Sequence, residues 1–116
     1  MILKNRVKFF IAFIYIFCLI TFPKDLYASN TSTGKVLFNS HCSGCHVNGG
    51  NIIRRSKNLR ITSLRRNGID NPEEIAKIAS QGIGIMDGYG DLLGENGDHI
   101  VASWIWEQAQ NAWIQE

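Results

Sequence analysis

Cys42-Ser43-Gly44-Cys45-His46 is the stretch that decides how this chain folds and what chemistry it carries. Cys-x-x-Cys-His is the attachment pattern of a covalently held c-type haem. Two thiols about one helical turn apart can each add to one porphyrin vinyl group. The histidine beside the second thiol then falls under the ring, where its imidazole can ligate the iron. Two other uses of a cysteine pair lack support. A thioredoxin-like dithiol needs a βαβ pattern around it, and none is visible. A structural zinc site needs a second pair of ligands at similar spacing, and no cysteine follows Cys45. Cys42 and Cys45 are therefore the expected attachment points, and His46 the expected proximal ligand.

Upstream, Lys4, Arg6 and Lys8 precede an almost unbroken apolar run from Phe9 to Phe22, which Pro23, Lys24 and Asp25 end. Leu26-Tyr27-Ala28 offers a cleavage site after Ala28, although Leu26 is larger than the small residue preferred there. This layout is that of a secretory signal peptide. Residues 1–28 are thus expected to be a cleaved signal, and residues 29–116 the haem domain. The run is shorter than the roughly 18 residues of a spanning helix, and an uncleaved anchor is the competing reading. Cys18 lies in the run behind Tyr15-Ile16-Phe17, which lacks the small residues of a lipidation signal, so it should leave with the segment.

The 88 residues that remain suffice for one small domain with a modest core. A bound haem would supply an apolar plate for it to fold around. The whole chain is formally +2, but its processed part carries eight basic and nine acidic residues, or −1. Arg54, Arg55, Lys57, Arg60, Arg65 and Arg66 cluster early, and Asp87, Asp91, Glu95 and Asp98 later. Solvated faces and docking surfaces are both open readings of this segregation. Nucleic acid is not an expected partner, since the basic cluster has no interleaved aromatics and the domain is not basic overall.

The pattern predicts an all-α domain. A first helix is expected over residues 34–46, with Leu37 and Phe38 spaced to share a face with Cys42, then a glycine- and asparagine-rich loop. A short helix should span residues 58–66 and stop at Asn67-Gly68. The third helix has the clearest signals: Asn71 as cap, Pro72 at the first position, Glu73 and Glu74 in the first turn, and Gly82 at the end. Its expected buried face is Ile75, Ile78 and Ala79. Six glycines among residues 82–97 predict a loop without regular structure. A last helix should run from about Asp98 to Trp113, with Val101, Trp104, Ile105 and Ala109 inward.

An electron-transfer haem with a proximal histidine commonly takes methionine or a second histidine on its other face. The processed chain holds one methionine, Met86, and two further histidines, His41 and His99. His41 directly precedes Cys42 and cannot reach the opposite haem face. His99 opens the last helix, where solvent exposure is expected. Met86 follows His46 by 40 residues in the glycine-rich stretch and is the expected sixth ligand.

From Gly34 to Trp113 the chain resembles the cytochrome c6 family, the lumenal electron carriers of cyanobacteria and algae. The resemblance is carried by Gly34-Lys35-Val36-Leu37-Phe38, the haem motif, Gly49-Gly50-Asn51-Ile52-Ile53 and Lys57-Asn58-Leu59. It continues through Leu64-Arg65-Arg66-Asn67-Gly68, Gly82 to Met86, and Glu107-Gln108-Ala109. It implies a class I cytochrome c fold, with about four helices around one haem c and a crossing of first and last helices marked by Phe38 and Trp104. It also implies a monomeric one-electron carrier, not an enzyme, serving the photosynthetic or respiratory chain. Its transient docking partners would be membrane complexes: cytochrome b6f, and photosystem I or a terminal oxidase. The location implied is the thylakoid lumen or periplasm of a cyanobacterium-like cell, with membrane contact only through the signal segment. Lys57 matches a position placed to approach a haem propionate.

Three residues depart from the family pattern. Asp87 replaces the usual proline after the ligand, which implies a looser methionine loop. Leu92 replaces a basic residue that serves docking to photosystem I. Ile78 stands where the main photosynthetic carriers have glutamine, and apolar residues there mark divergent c6-like branches. A haem-based sensor or weak peroxidase, with Met86 dissociating from the iron, is the alternative function, and Asp87 is the feature that favours it.

Overall fold

A computed structural model describes residues 2–20 and 25–114 of the chain. The expected break at Pro23-Lys24 lies outside the described residues. The first helix, α1 (Ile2–Ile20), carries the apolar run as far as Ile20. Val7, Phe9, Phe10, Ile11, Phe13, Ile14 and Tyr15 are all exposed on it, so nothing among the described residues covers them. No helix among the described residues is long and apolar enough to cross a membrane.

The second helix, α2, runs from Asp25 to His41. It starts earlier and stops earlier than the expected helix over residues 34–46. The start was hidden by Asn30-Thr31-Ser32-Thr33, polar side chains that compete with the backbone for hydrogen bonds and weaken a helix reading. The end comes because Cys42 N–H and Ser43 N–H both donate to the Phe38 carbonyl, at 2.8 and 2.9 Å: the second bond spans five residues instead of four, and the regular ladder stops there. The haem motif therefore lies in turns after the helix.

A 3-10 turn at Arg55–Lys57 leads to α3 (Ile61–Arg66), three residues shorter at its start than expected. The turn is stitched to α3: the Ser56 carbonyl accepts from Ser63 Oγ at 2.7 Å and from Asn67 Nδ2 at 3.2 Å. The next helix, α4 (Pro72–Gln81), has the expected bounds. Asn71 Oδ1 accepts from Glu74 N–H at 3.0 Å, and the Glu74 carboxylate accepts from Asp70 N–H at 2.7 Å, so both sides of the start are tied. Its buried face is Ile75, Ala76 and Ala79; Ile78, expected inside, is only half-buried.

The glycine-rich stretch corrects the expectation of an irregular loop. It holds a two-stranded antiparallel hairpin, β1 (Gly82–Ile83) with β2 (Met86–Asp87), then a one-turn helix α5 (Gly90–Leu93). The last helix, α6 (Gly97–Gln110), gives way to a turn that carries Trp113. It is the hub of the domain, because α2 and α4 both pack against it. Gly34 sits where they cross: a Cβ there would fall 2.5 Å from Trp104 Cβ and 2.9 Å from the Ile100 carbonyl oxygen. Only glycine permits that approach. Phe38 meets Trp104 with ring centroids 4.9 Å apart, as the resemblance implied, and Trp113 closes a trio with both. Aromatic pairs of this kind add about 0.5–1.5 kcal/mol each beyond area burial. The α2–α6 crossing is therefore the strongest lock on the segment leading to Cys42.

Candidate haem site

The first half of the site grows from the end of α2. Cys45 N–H and His46 N–H both donate to the Cys42 carbonyl, at 3.2 and 2.9 Å, which winds the motif into one compact turn. Cys42 is half-buried and Cys45 exposed, and both are free thiols. Burial pushes the Cys42 thiol up to about 11, which keeps it neutral around pH 7. His46 is buried, with 8 % of its surface exposed. Its Nδ1 lies 2.8 Å from the Gly50 carbonyl oxygen. A carbonyl can only accept, so Nδ1 carries the proton and the Nε2 lone pair is left for a metal. This contact fixes the tautomer and the ring direction together.

The second half is the β1–β2 hairpin. Gly82 pairs with Asp87 and Ile83 with Met86, so Gly84 and Ile85 make the turn. Gly84 has φ +59° in the first turn position, the glycine-first arrangement of a type II′ hairpin. The hairpin is seated on α4. A Cβ on Gly88 would fall 2.5 Å from the Ser80 carbonyl oxygen in the last turn of α4, while one on Gly82 would fall 2.5 Å from the Met86 carbonyl oxygen across the hairpin. Tyr89 N–H donates to the Ala79 carbonyl at 2.8 Å. Met86 is half-buried, while Ile83 and Ile85 on either side of the turn are exposed. On either side of Asp87, Gly82 and Gly88 make close backbone contacts that restrain the segment.

The two halves approach each other where the His41 ring faces the Tyr89 ring, centroids 6.4 Å apart. That contact joins the residue before Cys42 to the third residue after Met86. His99 is exposed, in line with the expectation. Large exposed apolar side chains flank both halves: Val47, Ile52 and Ile53 after His46, and Ile83 and Ile85 beside Met86. A flat apolar macrocycle would cover part of this apolar surface and leave its outer edge exposed. Two thiols, an imidazole with a free Nε2 and a thioether are the donor set a c-type haem requires, so these residues fit the group. Among the described residues no three His, Cys, Asp or Glu side chains gather to hold a metal ion directly.

The six residues of the basic cluster are all exposed. The Lys57 ammonium donates to Asn67 Oδ1. Leu92 is exposed as well, an apolar side chain at the position where the family pattern has a charge. Sequence patterning missed Gly49, Gly88 and the true placement of Trp113. Gly49 needs φ +74° and lies against the Trp113 ring, which sits in the turn after α6. Nothing in local periodicity signals such contacts.

A helical domain that combines Cys-x-x-Cys-His with a tautomer-fixed histidine is a c-type cytochrome domain. Residues 29–105 match the family model described as cytochrome c oxidase, cbb3-type, subunit III. The chain is 40% identical to a cytochrome c6-like protein of Nostoc over 89% of its own length and 91% of that protein's. It is similar to the crystal structure of cytochrome c6B from Synechococcus (TM-score 0.70, 65% identity), covering 72% of this chain and 96% of that one. It is also similar to oxidised cytochrome c6A of Arabidopsis thaliana (TM-score 0.69, 32% identity), covering 75% of this chain and 97% of that one. The chain belongs to the cytochrome c6 family, in its divergent c6-like part. Its cofactor is haem c, and it is an electron carrier, not an enzyme.

Proposed function

We propose that Cys42 and Cys45 form the two thioether links to haem c, that His46 and Met86 are the axial iron ligands, and that the protein carries single electrons from a cytochrome b6f complex to photosystem I or a terminal oxidase. The observation that carries the ligand assignment is the His46 Nδ1–Gly50 carbonyl contact, which leaves the Nε2 lone pair free. A carbonyl partner of this kind also raises the basicity of the ligating nitrogen. The haem supplies a one-electron couple. The chain's own residues orient the imidazole, hold the thioether on a seated hairpin and present Ile83 and Ile85 as an exposed apolar rim. A small, weakly charged rim suits brief encounters with membrane complexes.

Export with loss of residues 1–28 completes the reading, giving a lumenal or periplasmic domain of residues 29–116. The basic start and apolar run support it, as does a family match that begins at residue 29. A relative that is 47% identical over half of this chain is named cytochrome c6, chloroplastic. The sensor or peroxidase alternative needs Met86 to leave the iron readily, and the seating of the hairpin on α4 speaks against it.

The test is the spectrum of purified ferric protein beside that of Met86→Ala. The parent should show a far-red methionine–iron charge-transfer band and no carbon monoxide binding when reduced. Met86→Ala should keep its haem, lose the band and bind carbon monoxide. A high-spin parent would overturn the ligand assignment. Oxidation rates with photosystem I and with oxidase membranes then separate the two acceptors, and failure with both would overturn the partner assignment.

A further inference from the structure

We propose that Trp113 is a positioning residue for His46, acting through the Gly49–Gly50 backbone; this rests on reading His46 as an iron ligand. After α6 the chain turns through Ala112 (φ 55°) and Trp113 (φ 58°), both in the left-handed region that residues with a Cβ avoid. The turn is closed by Asn111 N–H on the Glu107 carbonyl at 3.1 Å and by Trp113 N–H on the Gln108 carbonyl at 2.8 Å. Its effect is to swing the indole back into the domain, where only 6 % of Trp113 is exposed.

Three contacts of different kinds run from that indole to the haem-binding segment. The ring packs on Phe38, centroids 5.3 Å apart, and the Phe38 carbonyl accepts the Cys42 and Ser43 N–H groups. The indole N–H donates to the Leu59 carbonyl at 3.1 Å, and Leu59 N–H in turn donates to the Gly49 carbonyl at 2.7 Å. The ring also lies so close to Gly49 that a Cβ there would come within 2.3 Å of Cε2. Gly50, the next residue, supplies the carbonyl that accepts from His46 Nδ1 at 2.8 Å. The indole thus packs against Gly49, and the next residue, Gly50, holds His46. Filling a core accounts for the Phe38 and Trp104 contacts. It does not account for two left-handed residues spent on bringing an N–H to Leu59 and a ring face to Gly49.

The consequence is electronic as well as mechanical. A firm Nδ1–H to carbonyl bond makes the imidazole a stronger donor and favours the ferric state. Loosening the Gly50 carbonyl weakens the donor, so the reduction potential should rise. The imidazole proton should also exchange faster with solvent, since its protection is a local opening equilibrium.

Holoprotein NMR and redox titration test this. In the ferric parent, His46 ring resonances should be hyperfine-shifted and Nδ1–H slow to exchange. Trp113→Phe keeps a ring against Gly49 but removes the N–H, and Gly49→Ala drives a methyl group into the indole. Both should speed Nδ1–H exchange roughly tenfold, the effect of weakening one hydrogen bond, and raise the potential. Ile75→Ala, in the buried face of α4, should lower Tm without moving either readout. Trp113→Phe and Gly49→Ala variants that lose Tm while exchange and potential stay at parent values would overturn the proposal alone. His46 resonances without a hyperfine shift in the parent would overturn the ligand reading, and the proposal with it.

Discussion

Gly88→Ala should unseat Met86. A Cβ at position 88 would stand 2.5 Å from the Ser80 carbonyl oxygen, 2.7 Å from Gln81 C and 3.0 Å from its oxygen. All three are backbone atoms in the last turn of α4, so none can rotate aside. Ordinary van der Waals contact begins near 3.4 Å, and the chain after Met86 must therefore retreat by about an ångström. That retreat stretches the bond from Tyr89 N–H to the Ala79 carbonyl, now 2.8 Å. Overpacking against a rigid neighbour costs roughly 1–3 kcal/mol. A spoiled hydrogen bond adds about 1 kcal/mol. The sum, about 2–4 kcal/mol, is relieved if the hairpin lifts and Met86 leaves the iron. At tenfold per 1.4 kcal/mol, the methionine-free fraction grows roughly 30- to 700-fold. Carbon monoxide titration of the ferrous holoprotein reads that fraction, and the far-red ferric band reports the loss of sulfur ligation. Gly84→Ala is the matched comparison, because nothing lies within 4 Å of a Cβ there and φ is +59°. It should cost only the left-handed strain, about 1–2 kcal/mol, at the exposed turn. Gly88→Ala protein that keeps its far-red band and refuses carbon monoxide would refute the reasoning, and Met86 would have to be held by something other than its seat on α4.

Gly34→Ala should destabilise the holoprotein by about 2–3 kcal/mol in urea unfolding, because the new methyl meets Trp104 Cβ at 2.5 Å; an unchanged midpoint would mean that the α2–α6 crossing is not as close as described. Ile78→Gln should raise the reduction potential by something on the order of tens of millivolts, since an amide beside the haem can donate a hydrogen bond and orient its dipole; a fall or no change in redox titration would refute that role. Before haem attachment, iodoacetamide at pH 8 should label exposed Cys45 well ahead of Cys42, whose thiol is raised from 9.0 to about 11 by burial. The folded apoprotein should accordingly lose stability as pH climbs from 9.0 to about 11, because unfolding frees Cys42 to ionise. Equal labelling of the two thiols would show that Cys42 is not packed before attachment.

How much of this was legible beforehand differs from element to element. The bounds of α4 were, because Asn71, Pro72 and Gly82 act within one turn of themselves, through a cap, a preset φ and a left-handed stop. The inward face of α6 was as well, since Val101, Trp104, Ile105 and Ala109 follow the helical period. Ile78 was misplaced by the same rule: periodicity assigns a side to a helix, but Ala76 takes the buried position and leaves Ile78 at the margin. The stretch 82–97 was misread for a different cause. Its glycines look like flexibility in sequence, whereas Gly82 and Gly88 are there because backbone atoms occupy the room a Cβ would need.

The amino-acid sequence by itself determined the haem-attachment motif: Cys42, Cys45 and His46 fall within five residues, a spacing that no packing alters. It also determined the capped helix α4 and the apolar face of α6, both products of near-neighbour preference. Only the tertiary structure decided which carbonyl fixes the His46 tautomer, that the Met86 segment is a seated hairpin, and that Trp113 reaches back to Gly49. Gly49 and Trp113, like Gly34 and Trp104, are more than sixty residues apart in the chain. A glycine chosen for the closeness of such a partner looks the same in sequence as one chosen for a bend, because the atom that excludes its side chain belongs to another part of the fold.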